Sequence, residues 1–168
     1  MEHKDSFIVG IDASNIRHGG GITHLSQILR HTNFGDKKIK KVFVWSNQKT
    51  LSCIEDRPWL QKRNHPLLEG SLIKRAIWQM FLLKSSLKRD SCSVLFVLGG
   101  TFYTRFKPIV TFHQNLLPFE SKEILRYGFS LKILKFFLLR IVQSLSFIRS
   151  QGIIFLSNYS KKIIEKKL

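Results

Sequence analysis

Three stretches of this chain combine residue types that can hold an anion or a sugar. The first runs from Phe7-Ile8-Val9-Gly10-Ile11-Asp12 through Ala13–His18 into Gly19-Gly20-Gly21-Ile22-Thr23-His24-Leu25. It reads as a buried strand, a polar loop and the glycine-rich start of a helix. Glycines let a backbone approach a ligand closely, and a helix start aims free N–H groups and the positive end of its dipole at the same place. That combination favours a phosphate. The plainer reading is a turn whose glycines serve only the backbone conformation. The spacing is neither G-x-G-x-x-G nor G-x-x-x-x-G-K-[ST], so the dinucleotide fingerprint and the P-loop are both excluded.

The second stretch is Gly99–Lys107, directly after the apolar run Val94–Leu98. The third is His113-Gln114-Asn115 through Glu120, directly after the apolar run Ile109–Phe112. His113 is the leading titratable candidate, and Gln114 and Asn115 carry amides suited to sugar hydroxyls. The alternative for His113 is a structural imidazole that ties down a loop. Glu120 is a second titratable candidate, with the alternative that it is an acid at a helix N-terminus beginning near Ser121.

Other chemistries find little support. The histidines at 3, 18, 24, 31, 65 and 113 show no H-E-x-x-H or comparable ligand pairing, so no metal is expected. G-x-S-x-G is absent, which removes a nucleophile elbow. Cys53 and Cys92 form no C-x-x-C and read as small buried apolar residues.

Elements must bring these stretches together. Strands are expected at Phe7–Asp12, Val42–Trp45, Val94–Leu98, Ile109–Phe112 and Gly152–Leu156. Helices are expected over Gly20 to about Thr32, Ser71–Lys88, Ser130–Arg149 and Ser157–Leu168, with shorter ones at Gln48–Glu55 and Ser121–Arg126. Asn33–Asp36 reads as a turn, with Gly35 as punctuation. Pro58 argues against regular structure around Asp56–Leu60. Strands alternating with helices predict one α/β domain over 1–168, with a mostly parallel sheet and helices on both faces. Ligands of such sheets bind at the carboxyl ends of the strands, where all three polar stretches fall.

The 168 residues carry 28 Lys and Arg against 11 Asp and Glu, a formal charge of +17. Such a surface attracts nucleic acid, anionic lipid or phosphorylated substrates. No signal peptide and no apolar run of spanning length is visible, which points to a cytoplasmic chain at most peripheral to a membrane. Ser71–Arg89 is two-faced, with Lys74, Arg75, Lys84 and Lys88 off its apolar side, and is the better candidate for an anionic membrane surface. Ser130–Arg149 sets Lys132, Lys135, Arg140 and Arg149 among apolar residues and could itself lie in a membrane interface, but it is apolar nearly all round, and a core helix packed on the sheet is the slightly favoured reading there. Aromatic residues are not interleaved with basic ones as a stacking platform, which weighs against nucleic acid.

The run Gly10–Arg17 with Gly19–Leu25 resembles the opening of bacterial family 4 glycosyltransferases. So do Val42-Phe43-Val44-Trp45-Ser46, Asp56-Arg57-Pro58-Trp59-Leu60, Thr111-Phe112-His113-Gln114-Asn115-Leu116-Leu117-Pro118-Phe119-Glu120, Arg126–Ser130 and Ile154–Ser157. The segment H-Q-N-x-x-P-F-E is the most specific of these. The resemblance implies a Rossmann-like domain forming the N-terminal, acceptor-side half of a GT-B fold. It implies retaining, metal-free transfer from a nucleotide sugar, without a cofactor, in polysaccharide or glycolipid synthesis. Gly19, Gly20 and Gly21 would approach the donor diphosphate, and His113 would lie at the junction of donor sugar and acceptor. Asn15, Arg17, Gln114, Asn115 and Glu120 would face a glycan or lipid-linked acceptor. The family's E-x7-E motif, which grips nucleotide and sugar, has no counterpart among the glutamates present. A donor-binding domain is therefore expected to be missing, through truncation or through residence on a separate subunit. The contrasting expectation is a non-enzymatic basic α/β protein that binds nucleic acid or an anionic membrane.

Overall fold

The computed structural model describes residues 6–31, 38–120 and 131–168. The expected turn at Asn33–Asp36, the expected helix at Ser121–Arg126 and the Arg126–Ser130 motif lie outside them. In chain order the elements are β1 (Phe7–Asp12), α1 (Gly20–His31), β2 (Ile39–Trp45), α2 (Gln48–Ser52), β3 (Leu60–Arg63) and α3 (Pro66–Glu69). Next come α4 (Leu72–Ile77), a π-helical turn (Trp78–Leu82) and α5 (Leu83–Arg89), then β4 (Val94–Val97) and β5 (Ile109–His113). A 3-10 turn (Leu117–Phe119), α6 (Leu131–Arg149), β6 (Gly152–Phe155) and α7 (Asn158–Glu165) complete the described chain.

The six strands form one sheet in the order β3-β2-β1-β4-β5-β6. Every neighbouring pair is parallel. This is the Rossmann-like arrangement, and its order reverses between β1 and β4. The central strands are apolar almost without interruption because both faces are covered. On one face Leu25 and Leu29 of α1 pack with Ile11, Val44, Leu98 and Phe112. On the other, Trp78, Leu83 and Leu87 pack with Phe43, Leu95, Val97 and Ile109. Gly10 has no room for a side chain: a Cβ there would overlap Leu87 and stand 3.1 Å from Trp45 and 3.3 Å from Cys92.

Strand alternation assigns the later helices to faces. Ile109, Thr111 and His113 share one side of β5, and Phe112 is on the other. Ile109 lies in the cluster beneath α5, and His113 meets Phe147 of α6 with ring centroids 5.5 Å apart. The α4–α5 stretch and α6 therefore cover the same sheet face, and α1 covers the opposite one.

Several sequence expectations are corrected. β3 is not among the expected strands: Asp56–Trp59 is irregular, as Pro58 suggests, but the Leu60 amide donates to the Arg57 carbonyl at 3.0 Å and the chain enters the sheet edge at Leu60. α3 follows it, started by Pro66 and capped by His65, whose Nδ1 accepts from the Leu67 amide at 3.2 Å. The helix expected from Ser71 to Lys88 is broken in register by the π-helical turn. Cys92 is buried, but Cys53 is exposed, because it follows the last turn of α2. The helix after residue 130 is not a core helix with its apolar residues turned inward. It buries Gln143, Ser146 and Phe147 while six large apolar side chains face outward.

Candidate functional site

The loops after β1 and β4 meet at the point where the strand order reverses. Asn15 Nδ2 donates to Thr101 Oγ1 at 3.5 Å. A Cβ on Gly99 would touch Asn15 at 3.4 Å, so the two loops are in contact. Gly19 precedes α1 with φ +57°, a left-handed conformation that glycine adopts without strain. The Ile22 and Thr23 amides both turn back to the Gly19 carbonyl, at 3.1 and 3.4 Å. The Gly20 and Gly21 amides are left to whatever lies beyond the helix end. A side-chain atom on Gly19 or Gly20 would meet nothing within 4 Å, whereas one on Gly21 would press on Ile16 at 3.3 Å. Open space thus lies in front of the first two glycines only.

Behind this loop sits a buried polar network. Asp12, the last residue of β1, accepts from the Ser14 amide at 2.9 Å and from Gln79 Nε2 at 2.5 Å. Gln79 Nε2 also reaches Ser14 Oγ at 3.0 Å. Gln79 belongs to the π-helical turn, where it and its neighbour Trp78 are both buried. Burial raises the Asp12 pKa from its ordinary value, against the hydrogen bonds of Ser14 and Gln79 and the Arg75 charge. Arg75 Nη1 donates to the Ser14 carbonyl at 3.2 Å and to Asn15 Oδ1 at 3.0 Å. Burial and the Arg17 charge lower its pKa, with Asp12 opposing. Arg75 is therefore a brace for the 14–15 loop, whereas Lys74, Lys84 and Lys88 are exposed. Arg17 is likewise engaged, donating to the carbonyls of Leu68 and Gly70 at the end of α3.

The stretch after β5 divides between the two sheet faces. His113 is 1% exposed. Its ring is enclosed by Phe119, Phe147 and Phe155, with centroids at 5.9, 5.5 and 6.0 Å. Neither ring nitrogen has a well-formed hydrogen bond. Burial lowers the His113 pKa, with the Asn115 backbone opposing. Gln114 turns the other way and shares a hydrogen bond with His24 Nδ1 at 3.1 Å. His24, on α1, stacks on Phe112 at 4.6 Å. Asn115 Oδ1 accepts from the Leu117 amide at 3.2 Å and so steadies the 3-10 turn. Glu120 Oε1 accepts from the Tyr159 hydroxyl at 3.0 Å, tying this loop to α7.

The structure thus gathers Asn15, Arg75, Asp12 and the open glycines around the β1–β4 switch point, and places Gln114 with His24 against α1. It does not bring His113 out beside them. Sequence reasoning missed Gln79 and considered His24 only to set it aside as a metal ligand. The sequence does hold a signal for His24, which stands one helical turn after Gly20. Among the described residues no group of three or more His, Cys, Asp or Glu is arranged to hold a metal ion. No helix among them is long and apolar enough to cross a membrane. No protein-family model, curated protein or solved structure matches this chain.

Proposed function

We propose that this chain is the acceptor-side half of a retaining, nucleotide-sugar-dependent glycosyltransferase of the GT-B type, acting in polysaccharide or glycolipid synthesis at the cytoplasmic face of a membrane. The observation that carries the reading is the glycine-rich start of α1, with open space before Gly19 and Gly20, beside the switch point of a 3-2-1-4-5-6 parallel sheet. The motifs that resemble family 4 add to it.

In this reading the Gly20 and Gly21 amides and the α1 dipole receive the donor diphosphate, as anions are received at helix N-termini. Asn15, Gln114 and Asn115 offer amides to acceptor hydroxyls. Arg17, bonded to α3, and Glu120, bonded to Tyr159, act on the acceptor by shaping its walls. His113 reaches the sugar only if the Leu117–Phe119 turn moves with ligand or partner, because its ring is enclosed by aromatic residues in the present arrangement. No E-x7-E pair is present, so nucleotide and sugar are gripped by a donor-side unit, in the same polypeptide or on a separate subunit.

The test is product formation from a panel of nucleotide sugars and lipid-linked acceptors, with and without a donor-side unit. Transfer that requires both, and that falls by ~10²-fold in His113→Ala with donor affinity retained, is the expected result. Robust transfer by the chain alone overturns the half-enzyme reading, and full activity of His113→Ala removes that residue from the site. The charge of +17 favours one other reading, a nucleic-acid-binding α/β protein. Salt-sensitive retardation of DNA or RNA, with no nucleotide-sugar binding, would establish it.

A further inference from the structure

α6 is built inside out. The residues it buries against the sheet are Gln143, Ser146 and Phe147. Its polar inward groups serve the β4–β5 loop: the Phe102 amide donates to Ser146 Oγ at 3.2 Å. The opposite side carries Leu134, Phe137, Leu138, Ile141, Leu145 and Ile148, all exposed, with Phe137 at 57% and Ile148 at 66%. Their spacing of three and four residues makes one stripe along the helix. An apolar strip of this extent on a protein surface marks an interaction site.

The second such strip lies on the same sheet face. Ile73, Ile77 and Phe81 of the α4–α5 stretch are exposed, at 72%, 42% and 67%. Neither Ser71–Arg89 nor Leu131–Arg149 contains an aspartate or glutamate. Exposed lysines border both strips, Lys74, Lys84 and Lys88 on one and Lys135 on the other. One face of the domain therefore presents two co-facial helices, apolar on their outer sides and edged with positive charge, and neither helix carries an acid.

We infer that this face docks on an anionic bilayer, with α6 as its principal contact. The apolar stripes enter the acyl boundary and the lysines meet anionic headgroups. Charge selects this occupant: a second copy of the chain, at +17, would bring like charges together across the face. The inference rests on burial and charge and does not depend on the transferase reading.

The test is flotation of the 168-residue chain with vesicles of phosphatidylcholine alone or mixed equally with phosphatidylglycerol. Binding should require the anionic lipid and fall as salt rises. The double variant Phe137→Gln with Leu145→Gln alters only exposed positions, so it should keep the wild-type circular dichroism and bind at least about tenfold more weakly. Phe137→Trp supplies a second readout: on anionic vesicles its emission should shift to the blue and be quenched by brominated lipid. Absence of wild-type binding overturns the inference, as does binding that ignores the glutamines and leaves the new indole in water. A dimer in sedimentation that the glutamines dissolve, without vesicle binding, assigns the face to self-association instead.

Discussion

Gly20→Ala separates the two readings of the glycine loop, because structure and function pull it in opposite directions. Gly20 is the first residue of α1, its φ is not left-handed, and an added Cβ meets nothing within 4 Å. Alanine is the better helix former by up to about 1 kcal/mol in a helix interior. In the first turn we expect about half of that, so the variant should be slightly more stable than wild type in urea. The same methyl group stands where a diphosphate would approach. Affinity for nucleotide sugar, measured by calorimetry with the donor-side unit present, should fall roughly tenfold, which is about 1.4 kcal/mol. Gly20→Val should weaken binding further. Two controls calibrate the measurement. Gly10→Ala forces a Cβ into Leu87 and Trp45 and should lose about 1–3 kcal/mol of stability. Gly19→Ala at φ +57° should lose about 1–2 kcal/mol. A Gly20→Ala chain that gains stability and binds donor as wild type does would refute the diphosphate assignment and leave the glycines as a turn.

Two buried titratable groups give opposite pH signatures. The Asp12 pKa is raised above 3.8 by burial, so its contribution is present below pH 3.8 and is lost as pH rises through the folded value. Asp12→Asn should remove that loss and match or exceed wild-type stability at pH 7, since the Gln79 amide can turn its unpartnered Oε1 to the new donor. Asp12→Leu strands the Ser14 and Gln79 donors and should cost about 2–4 kcal/mol in urea unfolding. The His113 pKa is lowered below 6.5, so its contribution is present above pH 6.5 and is lost as pH falls toward the folded value. His113→Phe should abolish that acid-side loss in thermal melts across the window, and an unchanged pH profile would show that the ring is not held neutral by burial.

The central strands and α1 were legible because apolar runs ended in glycine or polar punctuation, as at Asp12, Gly99 and His113. β3 was not: Leu60-Gln61-Lys62-Arg63 buries only Leu60 deeply, and an edge strand beside β2 needs no continuous apolar run. The inverted α6 was unreadable for a different reason. Its composition announces apolar surface, but which side turns inward is fixed by tertiary contacts between residues far apart in sequence, such as the Ser146–Phe102 hydrogen bond and the Phe147–His113 ring contact. The candidate site was half legible. The glycine loop and the Gln114–Asn115 pair follow from local spacing. Alternation along β5 decides that His113 faces the aromatic cluster of α6, and the π-helical turn decides that Gln79 reaches Asp12. Arg75 read as a surface charge because nothing local reveals its bonds to Ser14 and Asn15.

The most direct test of the central claim follows the backbone amides themselves. In a nitrogen-15 correlation spectrum of the 168-residue chain, titration with a nucleoside diphosphate sugar should shift the Gly20 and Gly21 signals saturably, with Asn15 and Gln114 following, and the unphosphorylated nucleoside should leave them in place. Signals at Gly20 and Gly21 that stay fixed at millimolar ligand, or that respond equally to the bare nucleoside, would contradict a diphosphate site at the start of α1.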